Sequence, residues 1–480
     1  MDRKSGVNAG RAAGATSQDQ GESETTMSGI FKAYDVRGIY PSEINAEVAH
    51  QIGLAFQHVL DETDRERGKT VVVSRDMRLS SPVLASALIE GITAAGLDVL
   101  DIGLASTPMN YFAIGASGAA GGIQVTASHN PAEYNGFKFS RHGARPVSGD
   151  HGIALMESKI AASDLPRSAR PGSVRQGDVA ADYRRHVLSF LAPAPAGSRR
   201  LKVAIDAANG MVTIDRPILD AMGIEIVPLY FELDGSFPNH EPNPLKEENL
   251  RDLCRAVRDS GADFGTAFDG DADRAGFVDE HGEPVPNDLT TGLIGGELLA
   301  REPGKAVIYD LRSSRAVAEY ISEHGGVPVR ERVGHSFMKA TLRERHGIFG
   351  GELAGHYYFR DHYYADCAIL ALVEVLNLRR QTGEPLSHLV APLARYHKSP
   401  EINFVVADKA GKIELLAKRY ADAQIDYLDG ITISYPDWWA NVRPSNTEPY
   451  LRLVLEAKTA AELVRRREEL TALLGKPESE

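Results

Sequence analysis

The chain has 480 residues, which is too long for one hydrophobic core and indicates about three domains, or four. Its composition, 43% hydrophobic and 25% charged residues, is typical of a globular protein that dissolves in water. A net charge of -13 argues against nucleic acid as a partner, and no apolar run reaches the roughly 20 residues that a membrane span requires. With only two cysteines, Cys254 and Cys367, we expect no disulfide framework and a cytoplasmic location.

The chain begins with a segment that differs from the rest. Residues 1–26 are small, polar and without hydrophobic periodicity, which predicts a disordered tail. Met27 stands directly before the first sequence with a regular pattern and is an alternative candidate for the start of translation.

One pattern then occurs three times: a β-branched strand that ends in a charged residue, a helix, and a second apolar strand. It predicts three related α/β domains with mixed sheets. The first strands are 70–76, 202–206 and 306–312, and the second strands are 97–102, 224–229 and 327–333. After residue 400 the pattern changes, which predicts a smaller α+β domain at the C-terminal end. Its strands are 401–406, 430–435, 438–443 and 450–456, and its helices lie at about 409–423 and 459–474.

Stretches rich in proline, glycine and small polar residues predict the boundaries between these units. They lie at 161–175, at 281–287 and at 396–400. The predicted domains are 27–172, 173–286, 287–397 and 398–480.

The segment 126–131 (TASHNP) places Ser128 just after the apolar run 122–125, which is typical of a buried strand. Ligands of open α/β sheets bind at the carboxyl ends of strands. The alternative is a serine that only caps a helix, since Ser-x-x-Pro is a common capping combination. The Asn-Gly pair at 135–136 predicts a tight turn that brings Lys138 back beside the serine. A cation there favours a serine that carries or meets an anion.

Three aspartates, Asp269, Asp271 and Asp273, alternate in a segment that follows the strand-like run 264–268. Clustered carboxylates usually form a solvated acidic loop. Here the position at a strand end and the mutual repulsion of three charges favour a bound cation instead. Mg²⁺ fits best, because it is commonly held by a few carboxylates and completed by a phosphate oxygen.

Two further motifs carry polar groups in loops. The segment 350–356 pairs an acceptor, Glu352, with a titratable donor, His356, which suits the hydroxyls of a sugar, although an ordinary turn is an equal alternative. The segment 443–449 lies between two predicted strands and has the donors of a phosphate-binding loop. These donors are Arg443, Ser445, Asn446 and Thr447.

In this order and spacing the motifs, together with the segment 34–38, resemble the α-D-phosphohexomutase superfamily, and most closely its bacterial phosphomannomutase/phosphoglucomutase branch. The resemblance covers about residues 27–475 and touches every predicted domain. It implies a heart-shaped α/β enzyme with its active site in a central cleft. It also implies an isomerase that interconverts hexose 1- and 6-phosphates of mannose or glucose through a phosphoserine and a hexose 1,6-bisphosphate, with Mg²⁺ as cofactor.

The resemblance assigns roles residue by residue. Ser128 is the expected phosphoserine, and it is also an expected metal ligand with Asp269, Asp271 and Asp273. The expected catalytic residues besides Ser128 are Arg37, His129 and Lys138. The expected substrate-binding residues are Tyr34, Arg274, Arg312, Gly334, His335, Glu352, His356, Arg443, Ser445, Asn446 and Thr447. The general acid and base are open among Arg37, His129, Lys138 and His356.

Two departures from the family pattern leave the preferred hexose open. Ala354 stands where the dual-specificity enzymes commonly have serine, and Arg312 stands where a lysine is expected. Arginine keeps the charge but offers a different geometry. A phosphoglucosamine mutase is an alternative that Asn446 argues against, because that branch usually has glycine there. Two more functions stay open, a phosphomonoesterase and a non-catalytic phosphosugar-binding protein. The oligomeric state is expected to be a monomer or a homodimer.

Overall fold

The structure is a computed structural model, which describes residues 29–63, 68–149, 152–445 and 450–478. The predicted tail 1–26 and Met27 lie outside these residues. Among the helices described, none is both long enough and apolar enough to cross a membrane. Four sheets are built from four consecutive stretches of the chain. The prediction of three α/β domains followed by a smaller α+β domain is therefore confirmed.

The first sheet has the strand order β1-β5-β4-β2-β3-β7, with β6 paired to β5. Its strands are β1 (Val36–Ile39), β2 (Thr70–Arg75), β3 (Asp98–Leu104), β4 (Gly121–Val125), β5 (Tyr134–Arg141), β6 (Arg145–Pro146) and β7 (Val174–Gln176). Its helices are α1 (Ala46–Thr63), α2 (Ser81–Ala94), α3 (Thr107–Ser117) and α4 (Ile153–Ala161). Because β7 pairs in parallel with β3, this sheet continues past residue 172 into the segment that the sequence analysis gives to the second domain.

The tight turn predicted at residues 135–136 is wrong, because both residues lie inside β5. The Asn135 side chain donates instead to the hydroxyls of Ser80 and Ser81. A Cβ on Gly136 would lie 2.1 Å from the carbonyl oxygen of Val36, so glycine is needed there for the close approach of β1. Lys138 nevertheless lines the same cavity as Ser128, since it lies on β5, which runs antiparallel to β4.

The second sheet has the order β12-β11-β10-β8-β9. Its strands are β8 (Lys202–Asp206), β9 (Glu225–Leu229), β10 (Phe264–Phe268), β11 (Ala275–Val278) and β12 (Pro284–Val285). Its helices are α5 (Ala180–Leu188), α6 (Arg216–Ala221) and α7 (Glu247–Ser260).

The third sheet has the order β14-β13-β15-β16-β17. Its strands are β13 (Ala306–Asp310), β14 (Val327–Glu331), β15 (Phe349–Gly351), β16 (Tyr357–Phe359) and β17 (Ala365–Asp366). Its helices are α8 (Asn287–Arg301), α9 (Arg315–Glu323), α10 (His335–Glu344), α11 (Ala368–Thr382) and α12 (Leu386–Val390).

These three sheets share one arrangement. A central strand (β2, β8 or β13) runs parallel to a neighbour (β4, β10 or β15), and the next strand (β5, β11 or β16) turns back antiparallel. The predicted serine and metal motifs begin directly after β4 and β10, and the sugar motif 350–356 begins with the last two residues of β15 and continues into the loop after it. The three motifs therefore occupy equivalent places in three related sheets.

The fourth sheet is antiparallel throughout and has the order β18-β23-β22-β21-β20, with β19 also paired to β23. Its strands are β18 (His397–Lys398), β19 (Ile402–Val405), β20 (Gln424–Asp426), β21 (Ile431–Ser434), β22 (Trp438–Pro444) and β23 (Tyr450–Ala457). Its helices are α13 (Lys409–Arg419) and α14 (Ala460–Leu474).

The buried apolar cores are distributed unevenly among the four domains. One buried apolar cluster takes side chains from all of the first three domains, among them Val72, Phe268 and Leu376. The fourth domain has a core of its own, around Phe404 and Trp438. Polar contacts join it to the third domain, such as the ion pair between Lys398 and Asp288. The first three domains are thus held together by apolar burial, whereas ionic contacts contribute to holding the fourth.

Candidate active site

The serine and aspartate motifs meet across the boundary between the first two domains. Ser128 follows β4 and Asp269 follows β10, and both side chains are buried. The Ser128 hydroxyl donates a hydrogen bond to Asp269 Oδ2 at 2.8 Å. The hydroxyl therefore contacts the acidic cluster and does not cap a helix.

A buried arginine shapes the serine loop. Ser128 has a left-handed backbone with φ +51°, and its amide donates to Thr126 Oγ1 at 2.9 Å. The Arg78 guanidinium, whose residue is only 1% exposed, holds the loop by donating to four carbonyl oxygens. These are the carbonyls of Ser128, Asn130, Pro131 and Tyr134, at 2.9, 2.6, 2.6 and 3.0 Å. Arg78 could not be predicted from the sequence, because a single arginine after a strand carries no motif.

The three aspartates form a buried cluster in which one oxygen of each lies within 4.8 Å of the others. Lys138 Nζ donates to Asp271 Oδ2 at 2.7 Å and also pairs with Asp273. The Thr107 hydroxyl donates to the same Asp271 oxygen at 2.6 Å. The Oδ1 atoms of Asp271 and Asp273 are buried and have no hydrogen-bond partner among the described residues. Free carboxylate oxygens in a shared cluster fit a hard divalent metal ion.

Burial and mutual charge shift the pKa values of this cluster. Burial, with the charges of Asp273 and Asp271, holds the pKa of Asp269 well above its ordinary value. Burial also acts to raise the pKa of Asp271, but the charge of Lys138 and the hydrogen bonds from Lys138 and Thr107 together outweigh it, so the pKa is lowered. Burial acts to lower the pKa of Lys138, and the aspartates outweigh it, so that this pKa is raised. Lys138 is therefore a cation at neutral pH.

His129 and Arg37 complete the first-domain side. His129 Nδ1 lies 3.3 Å from Ser128 Oγ. Burial, together with the positive charges of Arg274, Arg37 and Lys138, holds the pKa of His129 well below its ordinary value, so the ring is neutral. Arg37 donates to Asn130 Oδ1 and to Asp35 Oδ2, both at 2.6 Å.

The third domain contributes His356 through a buried polar network. Arg274 Nε donates to His356 Nε2 at 2.9 Å, so this nitrogen acts as the acceptor. His356 Nδ1 lies 2.9 Å from Asp366 Oδ2, and Lys339 pairs with the other Asp366 oxygen at 2.6 Å. Asp366 and Lys339 could not be predicted from the sequence, because they lie 27 residues apart and outside the motifs.

Two further predicted site residues of the third domain are Glu352, which contacts its own domain, and His335, which contacts the first domain. Both carboxylate oxygens of Glu352 accept hydrogen bonds, one from the Gly334 amide and one from the Tyr358 hydroxyl, each at 3.0 Å. The rings of His335 and Tyr34 meet edge to face, with their centroids 5.3 Å apart. Burial, together with Lys339, holds the pKa of His335 well below its ordinary value.

On the fourth-domain side, arginines surround Glu401. The Glu401 carboxylate lies 2.9 Å from Arg443, 3.3 Å from Arg452 and 3.7 Å from Arg312. The Ser445 amide donates to the carbonyl of Tyr450 at 2.9 Å and so closes the base of the loop. The predicted residues Asn446 and Thr447 lie outside the described residues.

A cavity of about 640 Å³ connects these groups and is lined by residues from all four domains. The predicted site residues in its lining are Tyr34, Arg37, Ser128, His129, Lys138, Asp273, Arg274, Arg312, His335 and His356. Ala354 also lines it, as do Asp366, Glu401 and Arg452, which the sequence analysis did not select. Gly334, Glu352, Arg443 and Ser445 are not in its lining. Arg443 contacts the lining residue Glu401, and Glu352 accepts from the amide of Gly334, which stands between the lining residues Val333 and His335 in the chain. Asp269 and Asp271 contact the lining residues Ser128 and Lys138. The volume falls within the roughly 300–1,000 Å³ usual for small-molecule sites.

Family models for four domains match the chain in order. They describe the phosphoglucomutase/phosphomannomutase α/β/α domains I, II and III, at residues 28–166, 181–282 and 286–396, and the C-terminal domain at residues 401–473. The chain belongs to the phosphoglucomutase/phosphomannomutase family.

Individual relatives agree over nearly the whole length. A protein of Xanthomonas campestris pv. campestris (strain B100) named phosphohexose mutases is 38% identical over 92% of this chain and 98% of its own. A phosphomannomutase/phosphoglucomutase of Pseudomonas syringae pv. tomato is 37% identical over 91% and 93%. A crystal structure of a phosphoglucomutase/phosphomannomutase family protein from Burkholderia thailandensis has a TM-score of 0.85 at 36% identity, over 94% and 98% of the two chains.

Proposed function

We propose that this protein is a phosphohexomutase that interconverts hexose 1-phosphates and hexose 6-phosphates of mannose, glucose or both. The observation that carries the proposal is the contact between the Ser128 hydroxyl and the buried aspartate cluster, in a cavity that is also lined by Arg312 of the third domain and Arg452 of the fourth. A nucleophile beside a cation site at one end, and guanidiniums at the other, suits a sugar with a phosphate at each end.

Ser128 carries the phosphate between substrates in this proposal. The bond from Ser128 Oγ to phosphorus breaks as a hydroxyl oxygen of the hexose monophosphate bonds to phosphorus. The hexose hydroxyl gives up its proton and the released Ser128 Oγ gains one, so the products are a hexose 1,6-bisphosphate and a free serine hydroxyl. The bisphosphate then turns over in the cavity and returns its other phosphate to the serine. Lys138 and Arg37 line the same cavity and would balance the charge of about -2 on the phosphoserine.

Mg²⁺ would be held by Asp269, Asp271 and Asp273 together with a phosphate oxygen on Ser128. It would supply charge stabilisation to the phosphoryl group during transfer. Lys138 keeps the aspartates partly neutralised by its contacts with Asp271 and Asp273.

In this proposal His129 exchanges a proton with the serine oxygen. Its Nδ1 lies 3.3 Å from Ser128 Oγ, and its lowered pKa keeps the ring neutral. Lys138 and Arg37 are cations, so their role is to stabilise charge. Because the transition state of phosphoryl transfer is loose, catalysis depends more on the positioning of the reactants and on charge stabilisation than on a strong base.

Glu352 and His356 would meet the sugar, and Arg443 with the loop that follows it would hold the phosphate that does not react. The free, buried thiols of Cys254 and Cys367 fit the cytoplasm as the proposed location. A monomer or a homodimer stays a prediction.

Product analysis tests the proposal. Purified protein, Mg²⁺ and a trace of hexose 1,6-bisphosphate are incubated with the 1-phosphates of glucose, mannose and glucosamine in parallel, and the products are identified by ³¹P NMR. We expect glucose 6-phosphate, mannose 6-phosphate or both. Release of inorganic phosphate would indicate a phosphatase, and absence of any turnover would indicate a binding protein. Turnover of glucosamine 1-phosphate alone would assign the protein to the phosphoglucosamine branch.

A further inference from the structure

Glu401 lies at the centre of the arginines on the fourth-domain side of the cavity. It belongs to the short segment between β18 and β19, and its carboxylate contacts side chains of two domains. One oxygen lies 2.9 Å from Arg443 and 3.7 Å from Arg312, and the other lies 3.3 Å from Arg452. Arg312 comes from the third domain, so the carboxylate also connects the third and fourth domains.

The geometry of these contacts is poor for a carboxylate. The carboxylate has two oxygens for three guanidiniums, and its distances to Arg452 and Arg312, 3.3 and 3.7 Å, are longer than the roughly 2.7–2.9 Å of a charge-assisted hydrogen bond. A phosphate monoester has three terminal oxygens and a charge of about -2, so it can meet three guanidiniums at once.

Asp310 shows by contrast how a permanent partner is held. It is fully buried, contacts Arg312 at 2.7 Å, and accepts hydrogen bonds from the amides of Arg312 and Leu353, both at 2.8 Å. The Glu401 side chain is 23% exposed and lines the cavity. Glu401 is therefore accessible to an incoming ligand, whereas Asp310 is fixed beneath it.

Arg452 differs from Arg443 in its access to the cavity. The Arg452 side chain is 22% exposed and belongs to the cavity lining, whereas the Arg443 side chain is 3% exposed and does not. A ligand that enters from the cavity meets Arg452 and Arg312 before it meets Arg443.

We propose that Glu401 is an internal substitute for the phosphate, which occupies the arginine cluster in the free protein and is displaced by the non-reacting phosphate of the substrate, with Arg452 as a further ligand of that phosphate. The identity of the ligand as a phosphosugar rests on the function proposed above. Displacement lowers the net affinity for phosphate, and it lets the phosphate take over the connection between the third and fourth domains. The same carboxylate returns to the arginines when the phosphate leaves.

Calorimetric titration with inorganic phosphate, in EDTA, tests the proposal on the full chain. Glu401→Gln removes the competing charge and keeps the shape of the side chain. We expect it to bind phosphate at least about threefold more tightly than the unchanged protein. Arg452→Ala should bind phosphate at least about threefold more weakly, and Arg452→Lys should recover part of the loss. In the double variant Glu401→Gln/Arg452→Ala the gain should disappear.

A matched control removes a charge elsewhere in the same domain. Glu414 lies on α13 and its side chain is 73% exposed, so Glu414→Gln changes net charge equally and should leave phosphate affinity unchanged. Damage to the fold weakens binding, so tighter binding by Glu401→Gln cannot come from damage. Unchanged or weaker binding by a folded Glu401→Gln overturns the proposal. If that variant does not fold, unchanged binding by Arg452→Ala overturns it.

The two proposals can fail separately. If the protein does not isomerise hexose phosphates but Glu401→Gln binds phosphate more tightly, the proposed mutase function is wrong and the proposed displacement of Glu401 stands. If the protein is an active mutase but Glu401→Gln leaves its phosphate affinity unchanged, the proposed function stands and the proposed displacement of Glu401 is wrong.

Discussion

On the Ser128 side of the cavity, Asp269 and Asp271 are fully buried and backed by the apolar core that the first three domains share. On the Arg443 side, ion pairs between side chains predominate, several partly exposed, in a domain with a core of its own. Backbone amides, Thr107 and Arg78 fix the first side. A single carboxylate, Glu401, connects three arginines on the second.

The contrast matches what each side has to do. A phosphoryl group is transferred only if nucleophile and cation hold their places, which favours burial and fixed hydrogen bonds. A bisphosphate that turns over must be gripped and released within each cycle, which favours contacts that exchange. Variants on the first side should therefore lower kcat, and variants on the second side should mainly raise KM.

The largest effect is expected from Ser128→Ala, which removes the phosphate carrier. Turnover should fall at least about 10³-fold with little change in KM. The measurement is initial rate with glucose 1-phosphate after depletion of bisphosphate, and Ser86→Ala, an exposed serine on α2, is the control. Isomerisation by Ser128→Ala at a near-normal rate would exclude the serine as carrier. Residual activity at high bisphosphate would not, since bound bisphosphate can donate its own phosphate.

Arg443→Ala should raise KM about 10- to 30-fold with a smaller change in kcat, because it removes a charge-assisted contact of about 2 kcal/mol from phosphate binding. More bisphosphate should also escape per turnover, which ³¹P NMR of the reaction mixture can count. Arg467→Ala, at an exposed position on α14, is the control for loss of charge. Unchanged KM together with unchanged escape would contradict a gripping role for this side.

Metal affinity should depend on pH through Asp269. The pKa of this carboxyl is held well above its ordinary value, and it must be ionised to bind a cation, so protons compete as pH falls through that raised pKa. Mg²⁺ affinity should fall up to about tenfold per pH unit in that range. Calorimetry in two buffers of different ionisation enthalpy, repeated across the pH range in which the protein stays folded, measures both affinity and proton release. Asp269→Asn should bind more weakly and with a flatter pH profile, and a pH-independent affinity in the unchanged protein would refute the assignment.

The smallest effect is expected at Ala354, which lines the cavity. Ala354→Ser adds a hydroxyl that meets one epimer and misses the other, so the ratio of kcat/KM for glucose and mannose 1-phosphates should shift about fivefold. Ala410→Ser, on the exposed face of α13, controls for the substitution itself. If the ratio stays constant, another position discriminates the sugars.

Periodicity predicted the secondary structure well, because β-branched strands bounded by turn residues give a strong local signal. The predicted strand 202–206 coincides with β8, and 264–268 coincides with β10. The prediction of a turn at 135–136 was wrong. Asn-Gly often indicates a turn, but here the glycine allows the backbone of β1 to approach closely.

The candidate site was predictable only where its residues form motifs. Ser128 and the aspartates are local patterns, and the structure brings them into contact. Arg78, Asp366, Lys339 and Arg452 act through partners distant in sequence, such as the carbonyls that Arg78 gathers. Nothing in a single sequence marks such pairs before the chain is folded.

The left-handed backbone at Ser128 limits which residue can hold this position at all. Threonine has the same hydroxyl and the same capacity to be phosphorylated, but its Cβ carries a second substituent, which makes φ near +51° strongly unfavourable. Cysteine and alanine fit the backbone but not the chemistry. The reaction requires a hydroxyl, and the backbone conformation disfavours a branched Cβ. Serine meets both requirements.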